Sequence, residues 1–379
     1  MVRRSVSYLH LHEMIPKFFR SFVAIALAAC GPYASSPDPA PSPARADAPA
    51  ARGDEPTSPD GPAPSTPEAA PGSASPPATS SKLEIVLTGR PIQAFAIGDA
   101  HVLTLETDVQ TRLVATEKAA PHAVNVLLQE DVIDGVRFES VGASRGRVFV
   151  ADTYGALKSL KSDGTDVKDE YVPGSSTRIL SAPQTLWLAD LPQFLGDILQ
   201  FHWFGAPPAQ VTPANALLNP TGSVGDVAVD DEALVYATRG TSTTLRHWAP
   251  AATGARAGHR LLATLPEEAV AIGLDPARAF VHLATAKEIR AIDRTTGAST
   301  TVLSAASFDT PPILRSNGTS LYMLTDTALR RCTIASCAST MSVLTAGLQY
   351  SRGLVVDGTY AWIVMTAKGK TGVIARVPQ

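Results

Sequence analysis

Between Leu83 and the C-terminus the chain repeats one unit seven times: a turn of small or polar residues, then a strand whose centre is bulky and apolar. The instances run 98–105, 144–151, 182–189, 230–237, 275–282, 317–324 and 357–364, as in Asp275-Pro-Ala-Arg-Ala-Phe280-Val-His282. Their central residues, Leu103, Phe149, Trp187, Val235, Phe280, Tyr322 and Trp362, lie 46, 38, 48, 45, 42 and 40 residues apart. Self-similarity at such a period points to stacked supersecondary units, each burying its apolar face against the next. The apolar pattern alternates and no stretch keeps helical spacing, so the units are built from strands.

The rest of a four-stranded unit surrounds each centre. A strand precedes the turn at 95–97, 225–229, 269–272 and 353–356, and two follow it, as at 288–292 and 300–303. Asp293-Arg-Thr-Thr-Gly297 and Asp163-Gly164 supply turns between those last two, the Asp accepting backbone N–H groups and the Gly taking positive φ. The arrangement resembles an all-β fold, the seven-bladed β-propeller with four-stranded antiparallel blades. A β-sandwich or barrel with similar spacing is the competing reading. After Trp362 only one more strand follows, at 371–377, so residues 83–87 are expected to supply the outer strand of the last blade and close the ring. The Trp-Asp ends of Trp-Asp repeats, the Gly pairs of kelch repeats and the Trp docking of quinoprotein propellers are absent. The resemblance therefore implies a fold without an activity, because propellers host lyases, dehydrogenases, scaffolds and receptors alike.

The 379 residues are 45% hydrophobic and 18% charged, with a formal net charge of −3, which argues against a nucleic-acid binder. A single uninterrupted apolar run lies near the N-terminus. Lys17-Phe-Phe-Arg20 and the apolar 21–29 form a basic flank and a hydrophobic segment too short to span a bilayer. The segment ends in Leu27-Ala28-Ala29-Cys30, which resembles the lipobox of bacterial lipoproteins. That resemblance implies cleavage after residue 29 and a diacylglycerol on the Cys30 thiol. A plain secretory signal with an incidental Cys is the alternative, and Met14 is a second candidate start. Gly31 rather than Asp after the Cys favours the outer over the inner membrane by the enteric sorting rule. Residues 31–81 hold 14 Pro and 12 Ala but no Leu, Ile, Val, Phe or Trp, so residues 30–82 are expected to form a disordered tether. The domains expected are thus a signal at 1–29, the linker at 30–82 and the propeller at 83–379.

Candidate chemistry is sparse. Cys332 and Cys337 stand astride a hairpin turn in the sixth unit and should pair in an oxidising envelope. A zinc site would need four ligands, and neither a second Cys pair nor a nearby His exists, so no metal or cofactor is expected. The histidines of the repeats, His101, His122, His202, His247, His259 and His282, share no motif. His282 stands in a column otherwise apolar, where it reads as a hydrogen-bonded core residue or as a buried base of shifted pKa. Just past the central residues stand Glu106, Asp152, Asp190, Arg239 and Asp326. They form either a ligand face around the channel mouth, suited to a cationic or sugar-like ligand, or the solvated ends of hairpins. One loop differs: Leu191-Pro-Gln-Phe194-Leu195 puts large apolar residues in a connection that should face solvent, as a partner contact or folded back on its blade. Two functions are carried forward. One is a lipid-anchored envelope lipoprotein whose propeller binds or scaffolds a protein or glycan partner. The other is a periplasm-facing or surface propeller enzyme, lyase-like or hydrolase-like, using carboxylates and a His at the channel mouth.

Overall fold

Each repeat folds as a four-stranded antiparallel sheet, and seven such sheets make the propeller. The computed structural model describes residues 83–379 apart from 134, 171–176, 191–198, 205–211, 219–223, 239–242, 251–257, 305–307, 309 and 367–370, and apart from the side chains of 177, 189–190, 199–204, 212–218 and 224–225. All the described residues belong to one unit, Ala74–Gln379. The inner strands are Ile92–Ile97, Phe138–Ser144, Thr177–Ser181, Val224–Val229, Ala269–Leu274, Ile313–Ser316 and Ser351–Val356. The second strands are His101–Thr107, Arg147–Asp152, Leu186–Asp190, Leu234–Thr238, Arg278–Leu283, Ser320–Leu324 and Tyr360–Thr366.

The turn between inner and second strand explains why the repeat is visible in the sequence. In four blades a side-chain oxygen caps it: Oδ1 of Asp230, Asp275, Asn317 and Asp357 each accepts the N–H groups two and three residues on. Such Asx turns substitute a side chain for a missing backbone partner. In the second blade Arg145 and Gly146 both take positive φ, 53° and 70°, the two-residue hairpin that matches strand twist. We call the side of the ring bearing these turns the Asx face. The turns between third and outer strands share it, as at Asp293, whose Oδ1 accepts the N–H of Thr295 and Thr296.

The core lies between blades rather than within one. Ala237, Leu245 and Val235 of the fourth blade pack with Ile272, Val281 and Leu283 of the fifth, and Phe280 and Ile289 of the fifth pack with Leu321 and Met323 of the sixth. The central residues Trp187, Val235, Phe280, Tyr322 and Trp362 are fully buried, whereas Phe149 is half-buried. Near the axis the inner strands approach so closely that a methyl group on Gly273 would stand 2.8 Å from the Cβ of Leu314. A blade alone could not bury these surfaces, so closure of the ring carries much of the stability.

Closure is as expected. The first strand, Glu84–Arg90, pairs antiparallel with Gly372–Pro378, so the last blade takes three strands from the C-terminus and one from the start of the domain.

The Cys332–Cys337 disulfide forms in the sixth blade, both residues buried, across a connection that turns through Ile334–Ser336 and the short helix Cys337–Thr340. It closes a separation of five residues in a hairpin already paired by its sheet. Reduction, or a Cys332→Ala/Cys337→Ala pair, should therefore lower unfolding free energy by only about 2 kcal/mol, read from urea melts.

Candidate functional site

The inner strands surround a central channel of about 1780 Å³. Its wall has a register, because inner and second strands pair with the same offset in all seven blades. The inner residue opposite each central residue is Ala96, Gly142, Leu180, Ala228, Gly273, Arg315 or Val355, always seven positions earlier in the chain. Six blades place a small or apolar side chain at this level and the sixth blade places a guanidinium. Two residues earlier stand Ala94, Ser140, Arg178, Asp226, Ala271, Ile313 and Gly353. This level carries a second Arg and one carboxylate.

The partners of these charges are few. Oδ2 of Asp226 accepts the N–H of Ile272 at 2.8 Å, stitching the fourth inner strand to the fifth, as Oγ of Ser140 does for Ile179. Nη1 of Arg315 donates to the carbonyl of its own neighbour Leu314 at 2.8 Å. Arg315 is exposed, but to the channel that its blade lines. The surrounding blades restrict its solvation and pull its pKa below the ordinary value; Asp226 works against that and Arg178 adds to it. Farther towards the face opposite the Asx turns, Glu139 pairs with Arg137 at 3.3 Å, and Nε of Arg352 donates to the Thr366 carbonyl. The constant offset of seven residues was the signal for this site.

The channel wall does not include Glu106, Asp152 or Asp326. Glu106 is 1% exposed and ion-paired at 3.3 Å to Arg90, the last residue of the seventh blade's outer strand, so it is buried where those two blades meet and not on a rim. Asp152 caps a hairpin, its Oδ1 accepting the N–H of Tyr154 and Ala156. Asp326 donates its backbone N–H to Thr310 Oγ1. Asp190 ends its strand, with its side chain outside the described residues, where Arg239 and the loop residues Leu191, Phe194 and Leu195 also lie.

The enzyme reading needs a His among those carboxylates, and among the described residues none hydrogen-bonds Asp152 or Asp326. Instead His122 meets Glu84 at 3.4 Å, and His259 meets the Tyr236 hydroxyl at 2.6 Å. His282 is buried edge-on to Phe308, its ring centroid 5.2 Å away; burial lowers its pKa, with Glu267 opposing. Among the described residues no group of three or more His, Cys, Asp and Glu could hold a metal ion, and no helix is long and apolar enough to cross a membrane.

The face opposite the Asx turns carries an apolar strip that the repeat pattern did not reveal. Val109, in the turn after the first blade's second strand, is 78% exposed, and Tyr154, in the matching turn of the second blade, is 62% exposed. Ile133, 64% exposed, lies between them: Val132 donates its N–H to the Val109 carbonyl, and Thr153 bonds the carbonyls of Gly135 and Arg137. The loop with Leu191, Phe194 and Leu195 is the matching turn of the third blade by chain order.

On the Asx face a second polar cluster joins the last blade to the first. Burial pushes the Asp357 carboxyl up, but the Lys118 ammonium at 2.9 Å, the N–H groups of Thr359 and Tyr360 and the Trp362 indole outweigh it and hold the pKa at about 2. A carboxyl depressed from its unfolded value of 3.8 contributes stability that is present above that pH and lost as pH falls through 2. The stability gap between the wild type and Asp357→Asn should thus shrink by about 2 kcal/mol between pH 5 and pH 2, measured by urea melts across that range.

The fold and channel define the class: a seven-bladed β-propeller with an open axis. No protein-family model matches the chain, and no curated protein does. Solved structures match it as propellers. The chain is similar to one in the crystal structure of a mitotic checkpoint complex, at 12% identity and a TM-score of 0.52, covering 82% of this chain and 99% of that one. It is similar to YCF48 bound to a D1 peptide, at 13% identity and TM-score 0.53, covering 79% and 97%. PorZ, a bacterial surface component of the type-IX secretion system of Porphyromonas gingivalis, matches at 14% identity and TM-score 0.50 over 78% of this chain and 39% of its own. At these identities the likeness is one of fold.

Proposed function

We propose that this protein is a lipid-anchored lipoprotein of the bacterial cell envelope whose propeller binds a protein partner. The lipid sits on Cys30, residues 30–82 act as the tether, and the partner docks on the face opposite the Asx turns. The observation that carries the binding role is the strip of Val109, Ile133 and Tyr154, three large exposed apolar residues from consecutive blades. Apolar surface gathered in one strip, rather than scattered singly, marks a contact. By chain order the next turn on this face is the third-blade loop with Leu191, Phe194 and Leu195, which lies outside the described residues. A propeller solved with a bound peptide, and another from a multiprotein complex, are consistent with that use of the fold.

Two measurements test the two halves. Cys30→Ala, or inhibition of the lipoprotein signal peptidase, should move the protein from the membrane to the soluble fraction; unchanged fractionation would sink the anchor. A photo-crosslinking residue placed at Tyr154 should give a discrete adduct in intact cells, lost in Val109→Glu/Ile133→Glu. The same probe at Val343, on the outer strand of the sixth blade, should give none. Equal labelling from both positions would remove the docking face.

A further inference from the structure

We propose that the central channel is a binding site for a small oxyanion, a carboxylate or phosphate group, held by Arg315 and Arg178. Three observations carry it. First, the level of Arg315 is otherwise small or apolar in all six remaining blades, so the guanidinium is not part of a polar layer that the ring needs for its own packing. Second, neither guanidinium forms an ion pair among the described residues. Of the five N–H donors an Arg offers, Arg315 spends one on the adjacent Leu314 carbonyl, and both arginines line the channel. Third, the one carboxylate described at this depth, Asp226, has an oxygen committed to Ile272 N–H, and a single negative charge cannot neutralise two positive ones. Restricted solvation lowers the Arg315 pKa and the Arg178 charge lowers it further, as expected of two cations sharing a channel without a full complement of counter-charge.

Planar guanidinium groups match the geometry of carboxylate and phosphate oxygens and bind them through paired N–H···O bonds. A channel of about 1780 Å³ leaves room well beyond such a group, so charge rather than shape selects the ligand. The site is independent of the docking strip, whose Val109, Ile133 and Tyr154 do not line the channel.

The experiment titrates the full chain in detergent with inorganic phosphate, and separately with succinate, against sodium chloride at matched ionic strength. A bound anion should raise the melting temperature in a concentration-dependent way, beyond the chloride control. A response to phosphate alone or to succinate alone identifies which oxyanion the site takes. Arg178→Gln should weaken the apparent affinity about tenfold or more, because a charge-assisted pair is lost. Arg315→Met, which gives the sixth blade the apolar residue of the others, should fold with an undiminished melting temperature and lose the response. The proposal is overturned if neither anion exceeds the chloride control, or if Arg315→Met responds like the wild type. It is equally overturned if Arg315→Met melts well below the wild type without added anion, since Arg315 would then be a structural partner of Asp226.

Discussion

Deleting residues 83–88 should abolish the cooperative unfolding transition of the propeller, whereas deleting residues 34–78 should leave its melting temperature nearly unchanged. The first strand is the outer strand of the seventh blade, and its partner strand Gly372–Pro378 would otherwise present an open edge. Leu87, 8% exposed, packs with Val364 and Ile374 of that blade, in a cluster that continues to Ile92 and Val102 of the first. Glu84 faces Arg376 directly across the ladder and accepts two hydrogen bonds from it, at 2.7 and 2.8 Å. The Arg376 pair is what depresses the Glu84 pKa, with His122 of the first blade adding to it. Arg376 also donates to the Lys118 carbonyl at 2.6 Å and stacks 4.3 Å over Tyr360. The truncation would thus remove a strand, part of a cluster shared by two blades and the carboxylate partner of a buried cation at once. Calorimetry would show a broad or absent transition and aggregation. A truncated protein that melts as sharply as one lacking only residues 34–78 would mean that the strand closes nothing.

The blades were readable because their turns are chemically constrained. Asp230, Asp275, Asn317 and Asp357 must stand five residues before the central residue for their Oδ1 to reach two N–H groups, so residue type and spacing recur together. Closure was readable because one strand was missing at the end and one was spare at the start. The channel site escaped because it resides in the deviation and not in the repeat: at the level of Arg315 the pattern says small or apolar, and one blade breaks it. The expected ligand face failed at Glu106 for a geometric reason. Its strand, His101–Thr107, runs one residue farther past the central residue than Arg147–Asp152 does, so the position that ends a strand in the second blade lies within the ladder in the first. There Glu106 pairs with Arg90 instead of meeting solvent. Exposed Val109 and Tyr154 escaped because single apolar residues in turns carry no periodic signal.

Arg294→Ala should cost about 3 kcal/mol of unfolding free energy, and Arg147→Ala less than about 1 kcal/mol, although both residues are drawn in ion pairs. Arg294 lies in the third-to-outer turn of the fifth blade with its side chain fully buried. Its Nη1 bonds the Asp230 carboxylate of the fourth blade and, at 2.8 Å, the Asp275 carbonyl of its own blade. The Asp230 carbonyl in turn accepts the Trp187 indole N–H of the third blade at 2.8 Å, so Asp230 links the third blade to the Arg294 guanidinium of the fifth. Truncation to Ala empties the space of one of the largest buried side chains and leaves Asp230 without its cation. Asp230 remains 24% exposed, and water softens that loss, which places the effect at the lower end of the range for broken buried pairs. Arg147, by contrast, meets Asp166 at 2.7 Å with 24% and 36% of the two side chains exposed, where solvent competes for both charges. Nε and Nη2 of Arg294 have no hydrogen-bond partner among the described residues, so the buried charge is only partly compensated. Arg294→Met, which keeps most of the volume and removes those unmet donors, should accordingly cost less than Arg294→Ala. Urea midpoints at constant slope would rank the variants Arg294→Ala, Arg294→Met and Arg147→Ala from most to least destabilised. Equal losses for Arg294→Ala and Arg147→Ala would mean that burial does not decide what the Arg294 pair contributes to joining the fourth and fifth blades.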